Sequence, residues 1–320
     1  MAAASSAVRT ARRRHYLMCP PTHFTVRYAI NPWMDPARPV DTSLAVRQWA
    51  ALRDVLRALG HHVEEVPPEQ GLPDMVFAAN AATVVDDHAL IATFRHPERA
   101  PESEAFHRWF REHGYRTSRA RDLNEGEGDH LLTDDTILAA EGFRTSHRSH
   151  RETAERFGRP LVSLQLVDPR FYHLDTALAV LDDREIAYYP GAFSADSRSL
   201  LSRLFPTALL ATEEDAAVLG LNAVCDGRNV VLPAAATTLA GRLAERGFTP
   251  VGVELGELLK GGGGPKCCTL ELRHRAPTGS GGTVQAGRSG VAPGRPSAVR
   301  TASANDLRAT NGALIQRSWR

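Results

Sequence analysis

A run of glycines followed by two cysteines could bring a nucleophile close to a bound ligand. Residues 261–264 are four consecutive glycines, and Cys267 and Cys268 follow shortly after them. Glycine lets the backbone adopt positive φ angles or approach a ligand closely, and residues 267–272 alternate in polarity as a strand does. The run therefore predicts a thiol at the mouth of a strand. The alternative is a glycine linker beside two small buried side chains.

A histidine and several carboxylates could supply the proton transfers that such a thiol needs. His173 and Asp175 are two residues apart, which places both on one face of an extended segment, and histidine is the usual proton carrier at neutral pH. Glu125 and Asp129 stand beside two glycines ahead of a predicted strand. Such carboxylates could face a cationic ligand, although a solvated acidic turn is the alternative.

Four further polar residues are candidates for binding a substrate. Asn80 and Asn31 each follow an apolar run, but a turn is the alternative for both, and Pro32 favours the turn at Asn31. Arg99 and Arg144 could clamp a carboxylate with the planar fork of the guanidinium, although most arginines lie on the surface.

Composition limits the classes of partner. The chain has 320 residues, with 38 Lys and Arg against 37 Asp and Glu, so its formal charge of +1 attracts neither nucleic acid nor an anionic membrane. No apolar run reaches the ~18 residues of a membrane helix. The four cysteines form no C-x-x-C pair and indicate no metal site. We expect a cytoplasmic protein with a small-molecule partner.

An internal repeat predicts the architecture. Four segments each contain an apolar strand, a turn that begins with aspartate and a second apolar strand, which is the pattern of a hairpin. The turn aspartates are Asp86, Asp134, Asp182 and Asp226, at spacings of 48, 48 and 44 residues. A period of this size indicates repeated supersecondary units. The polar residues ahead of the hairpins are expected to face one cavity: Asn80, Asp129, Asp175 and Asn222.

The remaining strands and helices complete the units. A first strand is predicted at residues 15–19, and the strand that follows the cysteines can pair with it to make a fifth unit. Helical spacing of apolar residues predicts helices at residues 43–60, 104–112, 149–157, 195–205 and 235–246. The predicted fold is α/β, a closed ring of five similar units.

The ends of the chain differ in composition from its centre. Residues 1–14 are rich in Ala, Ser and Arg without an apolar stretch, and we interpret them as a frayed leader, a transit peptide being the lesser alternative. Residues 274–320 are Gly, Pro, Ser, Ala and Arg with few large apolar side chains, so they are predicted to form a disordered basic tail. Residues 15–273, between these two segments, are predicted to form the catalytic domain.

In combination these motifs resemble a known family. Asn80 after Val76 and Phe77, the carboxylates of 125–129, the segment 171–176 and the glycine-rich approach to Cys267 resemble the guanidino-group-modifying enzymes of the pentein fold. That family contains dimethylargininases, arginine deiminases, arginine dihydrolases and amidinotransferases. The resemblance covers residues 15–273 and is greatest to bacterial dimethylargininases and arginine dihydrolases. It implies a five-bladed α/β propeller.

The resemblance also implies a role for each candidate residue. Cys267 matches the nucleophile, His173 the general acid and base, and Glu125 an acidic catalytic position; the positions matched to substrate binding are Asn80, Asp175, Asp129, Arg99, Arg144 and Asn31. Asn80 departs from the aspartate of arginine deiminases and well-studied dimethylargininases, and asparagine occurs there in arginine dihydrolases. The chemistry requires no metal or organic cofactor.

The expected activity is hydrolysis of the guanidino C–N bond of methylated arginine, giving citrulline and a methylamine through a covalent amidino-thioether. Arginine dihydrolase or deiminase is the next candidate, on the basis of Asn80, and an amidinotransferase follows. A non-catalytic binding protein of the same fold is the competing class, and a homo-oligomer remains open.

Overall fold

The computed structural model describes residues 9–274. The first eight residues of the predicted leader and residues 275–320 of the predicted tail lie outside the described residues. The strands of the described region are β1 (His15–Met18), β2 (His62–Glu65), β3 (Ala82–Val85), β4 (His88–Ile91), β5 (Arg116–Arg119), β6 (His130–Leu132), β7 (Ile137–Glu141), β8 (Leu161–Gln165), β9 (Leu178–Val180), β10 (Ile186–Tyr188), β11 (Leu209–Leu210), β12 (Val224–Cys225), β13 (Asn229–Pro233), β14 (Thr249–Val253) and β15 (Leu270–Glu271). The helices are α1 (Thr42–Ala58), α2 (Glu102–Glu112), α3 (His147–Phe157), α4 (Leu174–Ala177), α5 (Ala195–Leu204), α6 (Glu213–Ala217), α7 (Thr237–Glu245) and α8 (Gly256–Leu259).

Five three-stranded sheets share one plan. In four of them a hairpin supplies the two antiparallel strands, in the fifth the last and first strands do, and in each a third strand pairs in parallel with the middle strand. The strand orders are β3-β4-β5, β6-β7-β8, β9-β10-β11, β12-β13-β14 and β15-β1-β2. The α/β class and the repeat that the sequence predicted are therefore confirmed.

The fifth sheet joins the two ends of the described chain. The strand that follows the cysteines, β15, runs antiparallel to β1, with Tyr16 opposite Glu271 and Leu17 opposite Leu270. The parallel partner of β1 is β2. The predicted pairing of the last strand with the first is confirmed.

The aspartate turns follow from backbone geometry. Between β3 and β4 only Asp86 and Asp87 intervene, with φ angles of +51° and +60°. A two-residue hairpin loop with positive φ at both positions is a type I′ turn, whose twist matches that of the strands. Aspartate tolerates this conformation better than most residues because its short side chain can bond to the local backbone.

The helices pack their apolar faces inward close to the predicted positions. On α1 the buried residues are Ala45, Trp49, Leu52 and Leu56, and the Asp41 side chain caps the helix by accepting from Leu44 N. The helices predicted at 104–112, 149–157, 195–205 and 235–246 correspond to α2, α3, α5 and α7, with ends that differ by one or two residues. No helix among residues 9–274 is long and apolar enough to cross a membrane.

The predicted boundary of the frayed leader is wrong for residues 9–14. Arg9 donates to Asp182 and Glu185, and its guanidinium lies 3.4 Å from the ring centroid of Phe248. The backbone N–H of Arg12 donates to Asp226 O at 2.8 Å. Arg9 and Arg12 of the predicted frayed leader pair with acidic side chains of the second and third hairpin turns.

Candidate active site

The glycine run is a buried loop rather than a linker. All four glycines of 261–264 are buried. A Cβ atom on Gly263 would overlap the ring of Phe77, and one on Gly262, where φ is +86°, would lie 2.8 Å from the Tyr172 hydroxyl. Only glycine fits such a close approach and such a backbone angle. The loop therefore packs tightly where it leads into the cysteines.

Cys267 and Cys268 lie in a turn that precedes β15, which corrects the expectation that they are part of the strand. Cys268 packs into the core, and Cys267 is 1% exposed. The Cys267 thiol donates to Asp175 Oδ2 at 3.2 Å and accepts from Asn222 Nδ2 at 3.0 Å. Burial raises the pKa of this thiol well above its usual range, and the Asp175 carboxylate raises it further.

Asn222, which the repeat predicted to face the cavity but to which no role was assigned, is a positioning residue. Its Oδ1 accepts from the backbone N–H groups of Gly264 and Cys267, both at 3.0 Å, and its Nδ2 also donates to Asp175 O at 3.1 Å. One amide thus joins the glycine loop, the thiol and α4. Its place ahead of the fourth hairpin, equivalent to Asn80, Asp129 and Asp175, was the signal in the sequence.

His173 is oriented by a buried carboxylate. Its Nε2 lies 2.8 Å from Glu125 Oε2, and that same oxygen accepts from Arg144 Nη1 at 3.0 Å. Burial alone would raise the pKa of Glu125, but Arg144 and His173 lower it far below its usual range. An ionised Glu125 accepts the Nε2–H of His173, so Nδ1 carries the lone pair of the neutral ring.

His173 and Asp175 share a site through a turn rather than an extended segment. His173 has an extended backbone and precedes α4, in which Asp175 is the second residue. This corrects the expectation of two side chains on one face of a strand. The helical turn still brings Asp175 against the Cys267 thiol, and Leu174 N donates to Asp129 Oδ1 at 3.0 Å.

Four site residues have a buried polar atom without a hydrogen-bond partner among the described residues. These atoms are Asn80 Nδ2, Asp129 Oδ2, His173 Nδ1 and Asp175 Oδ1. Burial raises the pKa values of Asp129 and Asp175 to about 6, and the Lys266 charge only partly offsets the effect on Asp175. Buried polar groups ordinarily have partners, so these atoms are suited to a polar ligand.

Asn80 is held by Arg99, which the sequence suggested as a carboxylate clamp. Arg99 Nη1 donates to Asn80 Oδ1 at 2.7 Å, while Nε and Nη2 donate to the two oxygens of Glu102 at 2.9 and 2.7 Å. Because Oδ1 must accept from Arg99, the donor Nδ2 of Asn80 points toward Gly128, where there is no room for a Cβ. The amide is therefore fixed in one orientation.

Arg144 and Asn31 border the site from another direction. Arg144 Nη2 donates to Ile30 O at 2.8 Å, and its guanidinium lies 4.7 Å from the ring centroid of Tyr172. Asn31 Nδ2 donates to Gly261 O at 3.1 Å, and its Oδ1 accepts from Trp33 N at 2.9 Å. Asn31 therefore fastens the glycine loop to the segment that contacts Arg144.

Glu127 forms buried ion pairs with residues that flank the two cysteines in the sequence. Glu127 is 0% exposed and pairs with Arg273 and with Lys266, whose Nζ lies 2.7 Å from Glu127 Oε2. Burial would raise the pKa of Glu127, but these two cations lower it. Nothing in the sequence distinguished Glu127 from the other carboxylates of 125–129. In the structure its carboxylate pairs with Lys266, which directly precedes Cys267.

The site lies at one end of the hairpins. Its residues come just before the first strands, whereas a cavity of about 200 Å³ opens at the hairpin turns, with Asp134, Asp182 and Cys225 among its lining residues. Neither Cys267 nor His173 lines that cavity. At the opposite ends of the strands, Asn222 donates to Asp175 O, and the neighbouring Leu174 N donates to Asp129, so three of the four polar positions of the repeat are linked there.

No protein-family model matches the chain. The chain is 56% identical over 268 residues to the N(G),N(G)-dimethylarginine dimethylaminohydrolase of Mycobacterium tuberculosis. The matched region covers 84% of this chain and 89% of that protein. The chain is 38% identical over 263 residues to the bifunctional arginine dihydrolase/ornithine cyclodeaminase ArgZ of Synechocystis, covering 80% of this chain and 37% of that protein.

A solved structure is similar over the same region. The N-terminal domain of ArgZ, an arginine dihydrolase crystallised as a cysteine-to-serine mutant bound to substrate, superposes with a TM-score of 0.79 at 36% identity, covering 82% of this chain and 98% of that one. The chain therefore belongs to the family of guanidino-group-modifying enzymes that contains the dimethylargininases and the arginine dihydrolases.

Proposed function

We propose that the protein is a dimethylargininase, a hydrolase that converts N-ω-methylated arginine to citrulline and a methylamine. The observation that carries the proposal is the buried thiol of Cys267 against Asp175, whose Oδ1, like Nδ1 of His173 two residues earlier, has no hydrogen-bond partner among the described residues. A substrate guanidinium offers N–H donors to the carboxylate and an electrophilic carbon to the sulfur. The identity of 56% to the mycobacterial dimethylargininase favours the methylated substrate.

The first half of the reaction forms a covalent intermediate. The substrate guanidinium replaces the Cys267 thiol as the hydrogen-bond donor to Asp175, His173 Nδ1 takes the thiol proton, and Sγ attacks the guanidinium carbon, so that a C–S bond forms and a tetrahedral adduct results. His173 donates a proton to the methylated nitrogen, and the C–N bond breaks with release of the methylamine. Proton transfer by a positioned imidazole contributes roughly 10²- to 10⁴-fold.

The second half releases citrulline. The neutral His173 Nδ1 takes a proton from water, which attacks the amidino carbon, and the C–S bond breaks as the thiolate leaves. Glu125 stabilises the imidazolium that forms in each half, because its pKa is held low by Arg144 and it accepts from Nε2. Burial of these groups strengthens their interaction, since little water competes for the charges.

The arginines have different proposed tasks. Arg144 donates two of its N–H groups to Glu125 and Ile30, and a guanidinium has five, so it is proposed to bind the substrate α-carboxylate. Arg99 uses most of its donors on Glu102, Asn80 and Asp74 O, so we propose that it positions Asn80 and binds the carboxylate only as a secondary contact. Asn31 and Asp129 complete the proposed binding site.

We further propose that the five sheets close into a five-bladed α/β propeller. The support is the shared strand plan of the sheets and the pairing of β15 with β1, which brings the two ends of the described chain together. A closed ring would place the residues ahead of each hairpin around one axis.

A reducing cytoplasm is proposed as the compartment, because the described cysteines are free thiols.

Arginine dihydrolase is the second candidate, on the specific basis of Asn80. An amide in place of a carboxylate cannot neutralise the guanidinium. Because the Nδ2 of Asn80 is a donor directed into the site, it can bond to a ureido oxygen and hold citrulline for a second attack. In that case arginine would yield ornithine, two molecules of ammonia and carbon dioxide.

A product assay separates the candidates. The full chain is incubated with asymmetric dimethylarginine and, separately, with arginine, and amines and amino acids are quantified. Dimethylamine and citrulline are expected from the first substrate; ornithine with ammonia from the second would favour the dihydrolase. No product from either substrate would contradict both candidates.

Cysteine variants test the nucleophile in the same assay. Cys267→Ser is expected to bind substrate but to lose turnover by on the order of 10³-fold or more, because removal of a covalent nucleophile disables the whole catalytic unit. Cys268→Ala is the matched control and should remain active, since its side chain packs into the core. Full activity of Cys267→Ser would remove the thiol from the mechanism.

A further inference from the structure

Three side chains meet on the outer part of the fifth sheet, away from the thiol. His15 on β1 is the register partner of His62 on β2, and their ring centroids lie 4.4 Å apart. Glu64 is two residues after His62 and so projects from the same face of β2. Glu64 Oε1 lies 2.7 Å from His15 Nε2 and 3.8 Å from His62 Nε2. The pairing of two parallel strands thus fixes two imidazoles and a carboxylate together.

The contact between His15 and Glu64 has an unusual geometry. The 2.7 Å separation is that of an ion pair, yet His15 Nε2 is buried and makes no aligned hydrogen bond with the described residues. One metal ion bound by both atoms would account for a close contact that is not aligned as a hydrogen bond.

A second layer of residues orients His15 as in protein metal sites. His15 Nδ1 lies 2.6 Å from His274 Nε2, and His274 Nδ1 lies 2.7 Å from Asp87 Oδ1. Histidines that bind metals usually donate their other ring N–H to an acceptor, which fixes the tautomer. Donation from His15 Nδ1 to His274 leaves Nε2 of His15 as the ligand atom.

We propose that His15, His62 and Glu64 bind a divalent transition-metal ion of the zinc type. The three ligand atoms lie within 4.8 Å of one another. Ligand atoms about 2.0 to 2.2 Å from a tetrahedral zinc ion are about 3.3 Å apart, and the two observed separations of 2.7 and 3.8 Å bracket that value. Two imidazoles and a carboxylate leave the fourth position to water.

The proposed ion stabilises the sheet that joins the ends of the described chain. Its ligands come from β1 and β2, and His274, which follows β15, holds His15. A ligand that binds only the folded state raises the free energy of unfolding. The ion is structural, because its ligands are distinct from the residues that surround Cys267, and the proposed hydrolysis proceeds without it.

The experiment uses full-length, untagged Cys267→Ser protein, so that the site thiol does not compete for metal. After treatment with EDTA, Zn²⁺ is titrated by calorimetry, Co²⁺ binding is followed by its visible absorption, and thermal unfolding is measured with and without Zn²⁺. Saturable binding of one ion with a rise in the unfolding temperature is expected. His62→Ala and Glu64→Gln should each weaken binding tenfold or more.

Matched variants make the result decisive. The His62 side chain is 56% exposed, so His62→Ala should fold, which its unfolding temperature without metal will verify. His107→Ala removes a histidine that bonds Thr117 instead, and it should leave the Zn²⁺ affinity unchanged. Absence of saturable binding, or an equal affinity in His62→Ala, Glu64→Gln and the parent, would overturn the proposal.

Discussion

Cys267 Sγ lies 3.2 Å from Asp175 Oδ2, and both residues are closed off from solvent. Burial and the neighbouring carboxylate raise the pKa of the thiol, so the protein alone holds the sulfur in its protonated, unreactive form. A guanidinium bound against Asp175 would offset that negative charge and favour the thiolate. The proposed substrate thus takes part in forming its own nucleophile.

The Asp175→Asn variant should make the thiol more acidic while it abolishes turnover. Removal of a negative charge beside Cys267 lowers the thiol pKa, although burial still keeps it elevated. Alkylation of Cys267 by iodoacetamide at about pH 8 is therefore expected to be faster than in the parent, because the thiolate is the reacting species. Peptide mass spectrometry of labelled Cys267 measures the rate.

Asp129→Asn is the control for that variant. Asp129 bonds Leu174 N and lies near His173 rather than Cys267, so its replacement should leave the alkylation rate close to that of the parent. A slower alkylation of Asp175→Asn than of the parent would contradict the electrostatic account of the thiol.

The Asp129→Asn variant should also be more stable than the parent at neutral pH. Burial raises the pKa of Asp129 to about 6, so the folded protein holds this proton more tightly than the unfolded chain does. The contribution of Asp129 to the free energy of unfolding therefore falls as pH rises from about 4 to about 6. A shift of about two pKa units corresponds to roughly 2 to 3 kcal/mol. Urea unfolding at about pH 7.5 should show that gain, and at about pH 4 the gain should disappear.

Glu127→Gln provides a control of opposite sign. The pKa of Glu127 is lowered overall because Arg273 and Lys266 outweigh burial, so its ionised form stabilises the fold above the unfolded pKa of about 4.3. Loss of that charge leaves two cations unpaired and should destabilise the protein at neutral pH.

Equal stability of Asp129→Asn and the parent at both pH values would show that Asp129 is not held in a raised-pKa state.

Asn80→Asp should strengthen the binding of cationic substrates. In the parent, Asn80 directs Nδ2, a donor, into the site, whereas an aspartate would direct an acceptor with negative charge. Charge-assisted hydrogen bonds contribute roughly 1.5 to 3 kcal/mol, so KM for asymmetric dimethylarginine is expected to fall by about tenfold. Inhibition by citrulline, which is neutral, serves as the control and should not improve. A larger gain for citrulline than for the cation would reverse the assigned orientation of the amide.

The glycine loop can be tested by a single added methyl group. In Gly263→Ala the new Cβ would overlap the ring of Phe77, which is packed in the core and cannot move cheaply. Overpacking of this kind costs typically about 1 to 3 kcal/mol, so both the unfolding temperature and turnover should fall.

Gly241→Ala is the matched substitution. Gly241 lies in α7 with open space around its Cβ position, so alanine should stabilise the protein by up to about 1 kcal/mol. Equal effects of the two substitutions on stability and turnover would show that the loop has no special packing requirement.

Much of the architecture follows from local pattern. The hairpins, their aspartate turns and the helices between them were predictable because alternation, helical spacing and positive-φ turns are properties of neighbouring residues. The candidate residues Cys267, His173 and Glu125 were identifiable through motifs. Their distances were not, since residues 48 and 92 positions apart in sequence meet only after the sheets have packed.

Where local pattern misled, a tertiary contact was the cause. Residues 1–14 were interpreted as a frayed leader, but Arg9 stacks on Phe248 and pairs with distant carboxylates. The pairing of Arg99 with Glu102, three residues later, was not part of the prediction that Arg99 binds a carboxylate of the substrate. Neither partner can be chosen from the sequence, because many acidic residues are available to each arginine.

The sequence by itself determined which residues could perform thiol chemistry and how many similar units the chain contains, because side-chain type and periodicity are properties of the local sequence. Only the tertiary structure decided the state of those residues. It placed Asp175 against the thiol, the low-pKa Glu125 against His173, and Arg99 on the acceptor atom of Asn80. Charge, burial and hydrogen-bond direction depend on which groups lie within a few ångströms, and that is a property of packing.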